Sequence, residues 1–133
     1  RFNWKKTILI SFLLVSFSSA TNAELPTTII KSCYDGDTCT TIEGEKIRLA
    51  CIDSPELKGK RADPIPAKEA RDFLNNLVSK NKVSIRRITT DRYGRTVAEL
   101  FKNDINLQEI IVKKGYGKIY ERYKDQCEWS KQR

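Results

Sequence analysis

The sequence contains no histidine and no methionine. Without histidine, any proton transfer near neutral pH must fall to another side chain, and a Glu carboxylate is the natural candidate for a base. The lack of histidine also argues against a zinc site, and the four cysteines show none of the Cys-x2-Cys spacing that structural zinc sites use. Because the chain does not begin with methionine, we expect its numbering to start inside a reading frame.

Long apolar runs are also missing, apart from one near the N-terminus. Three basic residues precede an apolar and hydroxyl-bearing run over residues 8–17, and small residues follow as far as Ala23. The run has about half of the roughly 20 residues that a membrane-spanning helix needs. We therefore predict a cleaved signal peptide over residues 1–23 rather than a membrane anchor, and a protein exported to the periplasm or the medium.

Residues 24–133 then remain, enough for one small domain with one core. They carry 22 Lys and Arg against 17 Asp and Glu, which leaves a net charge of +5. This surplus favours polyanionic partners, although a charge of this size is also common in soluble proteins. The sequence shows no internal repeat, low-complexity tract or second domain. We expect a monomer without stable membrane association once the signal is removed.

All four cysteines lie in this domain, at Cys33, Cys39, Cys51 and Cys127. Export would place them in an oxidising compartment, where two disulfides with any of three connectivities are expected. Cys33 and Cys39 flank a tight Asp-Gly turn and can face each other across it. We therefore favour the pair Cys33–Cys39, which leaves Cys51 to tie the third predicted strand to Cys127.

The pattern of β-branched and apolar residues predicts a mixed fold. Five strands are expected over residues 27–33, 38–42, 46–52, 83–88 and 95–101. Apolar residues at helical spacing predict an amphipathic helix from Pro66 to about Asn81. Asn106, followed three residues later by an acid, predicts the cap of a second helix that stops at Gly115. These elements predict an α+β fold, a five-stranded OB-type Greek-key β-barrel with two or three helices.

Two acidic clusters and one arginine stand out within the first three strands. Asp35-Gly36-Asp37 lies in the first turn and Asp53-Ser54-Pro55-Glu56 follows the third strand, and each alone is ordinary turn chemistry. Arg48 lies between them in a nearly continuous apolar strand, where an unpaired charge is costly to bury. Either Arg48 points to water or it faces a ligand that supplies the counter-charge, and Arg95 poses the same question.

Taken together, these residues have a coherent chemistry. A hairpin would bring the two acidic clusters next to Arg48, which places oxygen ligands for a hard metal beside a guanidinium for a phosphate. Hydrolysis of a phosphodiester needs a cation, donors that meet charge on the phosphoryl oxygens, and a base. Asp37 and Asp53 are candidates to bind Ca²⁺, Arg48 and Arg95 to grip the phosphate, and Glu56 to act as the base.

The chain resembles the staphylococcal (micrococcal) nuclease family, also called thermonucleases, over roughly residues 27–123. Four segments carry the resemblance: Asp35-Gly36-Asp37-Thr38, residues 48–56, Asp91-Arg92-Tyr93-Gly94-Arg95 and Gly115-Tyr116-Gly117-Lys118. The resemblance implies an OB barrel with three helices. It also implies an enzyme that cuts DNA and RNA with little sequence preference and leaves 3′-phosphate ends.

The resemblance implies roles for ten residues. Two carboxylates and one backbone carbonyl match the Ca²⁺ ligands: Asp37, Asp53 and Ser54, where the family usually has Thr. Two phosphate-binding arginines and the general base match Arg48, Arg95 and Glu56. A cation and three tyrosines match or extend the nucleotide-binding wall: Arg92, Tyr93, Tyr120 and Tyr123. The sequence departs from the family after Cys127, where the C-terminal helix is expected to be largely truncated.

Two other functions compete with an exported Ca²⁺-dependent nuclease. The first is a non-catalytic OB-fold nucleic-acid-binding domain, which would need no acids at positions 37, 53 and 56. The second is a disulfide-stapled exported domain that binds a protein partner, which leaves Arg48 and the acids unexplained. The enzyme is the hypothesis that uses all of these residues.

Overall fold

A computed structural model of the protein describes Ser11 and residues 24–133. Apart from Ser11, the predicted signal peptide over residues 1–23 lies outside the described residues. The described residues contain eight strands, three α-helices and one 3-10 helix, in the order β1 Thr27–Cys33, β2 Thr38–Thr41, β3 Lys46–Leu49, β4 Ile52–Asp53, α1 Pro64–Val78, β5 Lys82–Thr90, β6 Thr96–Lys102, β7 Ile105–Asn106, α2 Leu107–Lys113, β8 Lys118–Ile119, the 3-10 helix Glu121–Gln126 and α3 Glu128–Lys131.

Five of the strands close into a barrel, which confirms the predicted OB-type α+β fold. The strands lie in the order β3-β2-β1-β5-β6 with antiparallel neighbours. β3 then pairs in parallel with β6, which joins the two ends of the sheet. This closing pair sets Arg48 beside Val97. β7 extends the sheet beyond β6, and β4 and β8 form a separate antiparallel pair.

The core fills the barrel and the space under α1. Alternation along β5 buries Val83 and Ile85, as expected for a strand with one face inward. α1 buries residues at helical spacing, and burial of Leu74 and Val78 is worth about 1.5–3 kcal/mol each. The main cluster contains aliphatic residues from both kinds of element: Ile30, Ile47, Leu49, Ile52, Leu74, Val78, Val83, Ile85, Leu100, Leu107 and Ile111.

The third strand is shorter than predicted. β3 ends at Leu49 rather than at Ile52, and the chain turns through Cys51, which has a left-handed φ of 67°. At this turn the Ala50 amide donates to the Ala98 carbonyl (2.8 Å). Tertiary contacts at Ala50 and Cys51 therefore override the apolar pattern that predicted one continuous strand.

The first helix also differs from the prediction. α1 runs over Pro64–Val78, so it begins before Pro66 and ends before Asn81. Lys80 has a φ of 60°, and its amide donates to the Ile30 carbonyl (2.7 Å), which reverses the chain toward the barrel. The second helix follows its prediction, because the Asn106 side chain accepts from the Glu109 amide (3.1 Å) and caps α2.

Both favoured disulfides are present. Cys33 pairs with Cys39, and Cys51 pairs with Cys127. The first closes a ring, residues 33–39, around the turn between β1 and β2, and the second ties the turn before β4 to the C-terminal segment. No helix in the described part of the chain is long and apolar enough to cross a membrane.

Candidate active site

The Asp-Gly-Asp turn, Asp35–Asp37, lies inside the disulfide-closed ring. The Asp37 amide donates to Asp35 Oδ1 (3.1 Å), as Asp commonly does within turns. Gly36 is tightly packed, since a Cβ there would lie 2.7 Å from the Cβ of Ala70 and 2.8 Å from that of Ser54. Only glycine fits, so α1 and the second acidic cluster both press directly on this turn.

The carboxylate of Asp37 joins the two acidic clusters. Asp37 is only 6% exposed, and its Oδ2 accepts a hydrogen bond from the Ser54 amide (2.9 Å). The Thr38 hydroxyl lies 3.2 Å from Oδ1 and donates to it. The hairpin therefore brings Asp37 next to the segment that carries Asp53, as the sequence predicted.

Arg48 lies between the two aspartates and does not point freely to water. Its Nη1 is 3.4 Å from Asp37 Oδ2 and its Nη2 is 3.8 Å from Asp53 Oδ1, with 15% of its side chain exposed. Nη1 also donates to the Leu49 carbonyl (2.7 Å). The structure shows neither alternative as it was stated, because Arg48 is mostly shielded from water and two carboxylates of the protein, rather than a ligand, supply its counter-charge.

The site has more negative charge than one guanidinium can balance. Burial, and then the neighbouring charge of Asp37, raise the pKa of Asp35 to about 7. The raised pKa therefore reflects burial first and the nearby carboxylate of Asp37 second. Asp37, Asp53 and the carbonyl of Ser54 offer oxygen donors, the type that Ca²⁺ prefers.

Protein ligands alone would not complete a metal site here. Among the described residues, no group of three or more His, Cys, Asp or Glu side chains is disposed to hold an ion. Two carboxylates and a carbonyl therefore fit a hard cation that keeps several water ligands, and they do not fit zinc.

Glu56 lies on an exposed loop that leads from β4 to α1. Its carbonyl accepts from the Asp63 amide (2.9 Å), and its backbone bridges to Ala62, so the loop returns on itself at this point. The side chain is exposed. Within the described range, no hydrogen bond or ion pair joins the Glu56 carboxylate to Asp37, Arg48 or Asp53, so the structure does not bring these groups into direct contact.

Arg95 is held by Asp91 in the turn between β5 and β6. Arg95 Nε donates to Asp91 Oδ2 (2.8 Å), while Asp91 Oδ1 accepts from the amides of Tyr93 (2.9 Å) and Arg95 (3.0 Å). Burial acts to raise the pKa of Asp91, but these hydrogen bonds outweigh it and hold the pKa below its usual value. Sequence analysis missed Asp91, although an acid four residues before Arg95 was the available signal.

Arg92 and Tyr93 project from the same turn. The guanidinium of Arg92 lies 4.8 Å and that of Arg95 5.3 Å from the centre of the Tyr93 ring. Tyr93 is 67% exposed. Val97, two residues after Arg95, is the strand partner of Arg48. Arg95 therefore immediately precedes the strand that pairs with the strand of Arg48.

Tyr120 and Tyr123 lie close to the other side of Asp53. The strand pair β4–β8 sets Asp53 opposite Lys118, and the Tyr120 amide then donates to the Cys51 carbonyl (2.9 Å). The two rings meet edge to face with centres 5.1 Å apart. Arg122 covers the ring of Tyr123 at 5.3 Å. Lys118 is a basic residue near Asp53 for which sequence analysis assigned no role.

Comparison with known proteins gives consistent matches. The family model described as staphylococcal nuclease homologue matches residues 46–133, a range that begins after the Asp-Gly-Asp turn. An uncharacterised endonuclease of Haemophilus influenzae is 33% identical over 126 residues, which cover 90% of this chain and 67% of the relative.

Two further relatives align with shorter parts of the chain. A staphylococcal-like nuclease of Arabidopsis thaliana is 38% identical over 87 residues, which cover 65% of this chain and 25% of the relative. An uncharacterised endonuclease of Escherichia coli O157:H7 is 31% identical over 93 residues, 67% of this chain and 58% of the relative. The chain thus spans between a quarter and two thirds of the length of these three relatives.

Proposed function

Because this chain belongs to the staphylococcal nuclease family, we propose that it is an exported, Ca²⁺-dependent nuclease acting on DNA and RNA. Relatives described as endonucleases support a nuclease function. Ca²⁺ as the metal, 3′-phosphate products and the residue roles are the finer parts of the proposal. The observation that supports the residue roles is the placement of Arg48 between Asp37 and Asp53.

Asp37, Asp53 and the Ser54 carbonyl would hold the cation. Bound Ca²⁺ would neutralise phosphate charge and orient the substrate. The buried carboxylate of Asp37 is already fixed by the Ser54 amide (2.9 Å), so little side-chain freedom would be lost on binding. Asp53 has 38% of its side chain exposed, which leaves it open to ligand.

Arg48 and Arg95 would grip the phosphate from two strands. Charge builds on the phosphoryl oxygens as water attacks, and guanidinium donors stabilise that charge more in the transition state than in the substrate. Asp91 holds Arg95 through Nε alone. The terminal nitrogens of Arg95 make no hydrogen bond in the part of the chain described, so they are available for a phosphate.

Glu56 would act as the general base. It accepts a proton from water while the water oxygen forms a bond to phosphorus and the P–O5′ bond breaks. The phosphate stays on the 3′ oxygen, and the departing 5′ oxygen takes up a proton. The exposed position of Glu56 gives it access to water.

Arg92, Tyr93, Tyr120 and Tyr123 would bind the nucleotide next to the scissile phosphate. Exposed tyrosine rings with guanidinium groups on their faces offer flat surfaces for bases, each worth about 1–3 kcal/mol by stacking. Such contacts do not distinguish one base strongly from another. This mode of binding supports cleavage with little sequence preference.

One assay tests the proposal as a whole. Purified protein, residues 24–133, is incubated with plasmid DNA and with RNA in Ca²⁺ or in EDTA, and the product ends are identified. We expect cleavage in Ca²⁺ alone and 3′-phosphate ends. Binding without cleavage in Ca²⁺ would favour the non-catalytic OB-fold binder instead. Cleavage that leaves 5′-phosphate ends would contradict the assigned direction of P–O bond breakage.

We also propose that the protein is a monomer and that it acts in the periplasm or the medium. Two disulfides are compatible with an oxidising compartment. Fractionation of cells that express the gene, followed by size-exclusion chromatography of the exported protein, tests both points.

A further inference from the structure

We propose that Asn75 is a positioning residue for the cation site, acting through the backbone of Cys33 on the turn that carries Asp37. The inference rests on the proposed function, because it concerns the same Ca²⁺ ligands. Asn75 lies in the last turn of α1 and is half-buried. Sequence reasoning assigned it no role.

The Asn75 side chain binds Cys33 as a neighbouring strand would. Its Oδ1 accepts from the Cys33 amide (2.7 Å), and its Nδ2 donates to the Cys33 carbonyl (3.0 Å). One side-chain amide thus satisfies both backbone groups of one residue, 42 positions away in the chain. Two such bonds fix the position of Cys33 along β1 and relative to α1.

The backbone of Cys33 depends on Asn75 because no strand bonds to it on the side of β1 that faces β5. β1 pairs with β5 only over Thr27–Ile29, so the far end of β1 has no strand on that side. On its other side, Cys33 pairs with Cys39 of β2. Asn75 therefore bonds to Cys33 on the edge of β1 that has no partner strand, and Cys33 is the first residue of the disulfide-closed ring.

The same helix meets the turn at a second point. Gly36 packs so closely against Ala70 that a Cβ would lie 2.7 Å from the Ala70 Cβ. Ala70 and Asn75 thus locate the Asp-Gly-Asp turn from one surface of α1. Asp53, the other candidate carboxylate, belongs to a different element, β4. The distance between the two carboxylates therefore depends both on the Ser54 amide, which holds Asp37 Oδ2, and on how α1 holds the backbone of the turn.

A Ca²⁺ site is sensitive to that distance. Its oxygen ligands lie at about 2.3–2.6 Å from the ion, so a displaced carboxylate must be drawn back at a cost in binding energy. Residues that orient metal ligands from behind typically change metal affinity by about 10- to 100-fold when removed. A purely structural Asn75 would instead lower thermal stability and leave Ca²⁺ affinity unchanged.

The test compares Asn75→Ala with Asn76→Ala, an exposed neighbour on the same helix. Ca²⁺ affinity is measured by calorimetry without substrate, and amide hydrogen exchange is measured without Ca²⁺, far below the unfolding temperature. For Asn75→Ala we expect a Kd about 10-fold higher or more, together with faster exchange at the backbone amides of residues 35–38. Asn76→Ala should match wild type in both measurements.

A second variant keeps the inference testable if Asn75→Ala does not fold. Asn75→Asp keeps an acceptor for the Cys33 amide but sets a carboxylate oxygen against the Cys33 carbonyl, so we expect a raised Kd for it as well. The inference is overturned if the Ca²⁺ Kd of Asn75→Ala stays within about twofold of wild type and only the melting temperature falls. If Asn75→Ala does not fold, an unchanged Kd for Asn75→Asp would overturn the inference instead. Wild-type protein that binds no Ca²⁺ would instead overturn the proposed cation site itself.

Discussion

Arg48 lies 3.4 Å from Asp37 and 3.8 Å from Asp53, so one guanidinium links the two acidic clusters of the chain. The register of β2 and β3 sets Thr38 opposite Arg48 and thereby fixes this meeting. Removing one partner of a partly buried ion pair leaves the other uncompensated, which typically costs more than the pair contributes. The same three side chains thus determine both local stability and the charge that a phosphate or a cation would meet.

Glu56→Gln should remove the general base and keep the shape of the side chain. We expect turnover to fall by about 10²- to 10⁴-fold, the usual contribution of acid–base catalysis, while nucleic-acid binding persists. Turnover and Kd for an oligonucleotide are the two measurements. Glu43→Gln, which changes an exposed acid in the β2–β3 turn, serves as the charge-matched control. Equal turnover in wild type and Glu56→Gln would refute the assignment.

Asp91→Asn should loosen Arg95 without removing it. The variant keeps an oxygen for the turn amides but loses the charge that holds Arg95 Nε at 2.8 Å. A hydrogen bond to a charged group is worth about 1.5–3 kcal/mol, so we expect kcat to fall by about 10-fold or more. Substrate titrations separate kcat from KM. A change confined to KM would show that Asp91 serves binding rather than the reacting phosphate.

The carboxyl of Asp35 gives the Ca²⁺-free protein an unusual pH dependence. Its folded pKa of about 7 lies above the unfolded value of 3.8, so the folded state binds the extra proton between these values. The group therefore disfavours folding increasingly as pH rises from about 4 to 7. Asp35→Asn removes the penalty, and we expect it to raise the free energy of unfolding at pH 8, by at most about 4 kcal/mol.

Urea denaturation at pH 5 and pH 8 in EDTA measures this effect. The gain from Asp35→Asn should be larger at pH 8 than at pH 5. Asp125→Asn, at an exposed position of the 3-10 helix, should show no such difference. A gain that is the same at both pH values would mean that Asp35 ionises normally in the folded protein.

The two disulfides should differ in their contribution to stability. Cys51 and Cys127 are 76 residues apart, and Cys33 and Cys39 only 6. In the chain-entropy model these loops contribute about 4 and about 2 kcal/mol respectively. Replacing each pair by serine and comparing urea midpoints tests the order. A larger loss from the Cys33–Cys39 pair would mean that the short ring stabilises the native site more than it restricts the unfolded chain.

Local patterns were sufficient to predict most of the barrel and the meeting of Asp37, Arg48 and Asp53. Period-two alternation and short turns fix strand pairing, and pairing fixes which side chains become neighbours. The break after Leu49 was not predictable in the same way. It depends on bonds from Ala50 and Cys51 to residues far along the chain, to which a local apolar pattern is blind.

The candidate site shows the same division. The roles of Asp91 and Asn75 could not be predicted, because Asp in a turn and Asn in a helix are common for local reasons. Only the tertiary structure shows which groups these side chains bind. Asn75 in particular binds a residue 42 positions away. Asp37, Arg48 and Asp53 stood out in the sequence, whereas Asp91 and Asn75, which hold other groups in place, did not.

The parallel pairing of β3 with β6 has one more consequence. It is the seam at which the barrel closes, and Arg48 lies on one strand of the seam while Arg95 immediately precedes the other. Partial opening along this pairing would part the two arginines and expose the core residues Ile47, Leu49 and Ala98. A polyanion that contacts both arginines would hold β3 and β6 together. We therefore expect local opening of the barrel to be rarer when substrate is bound.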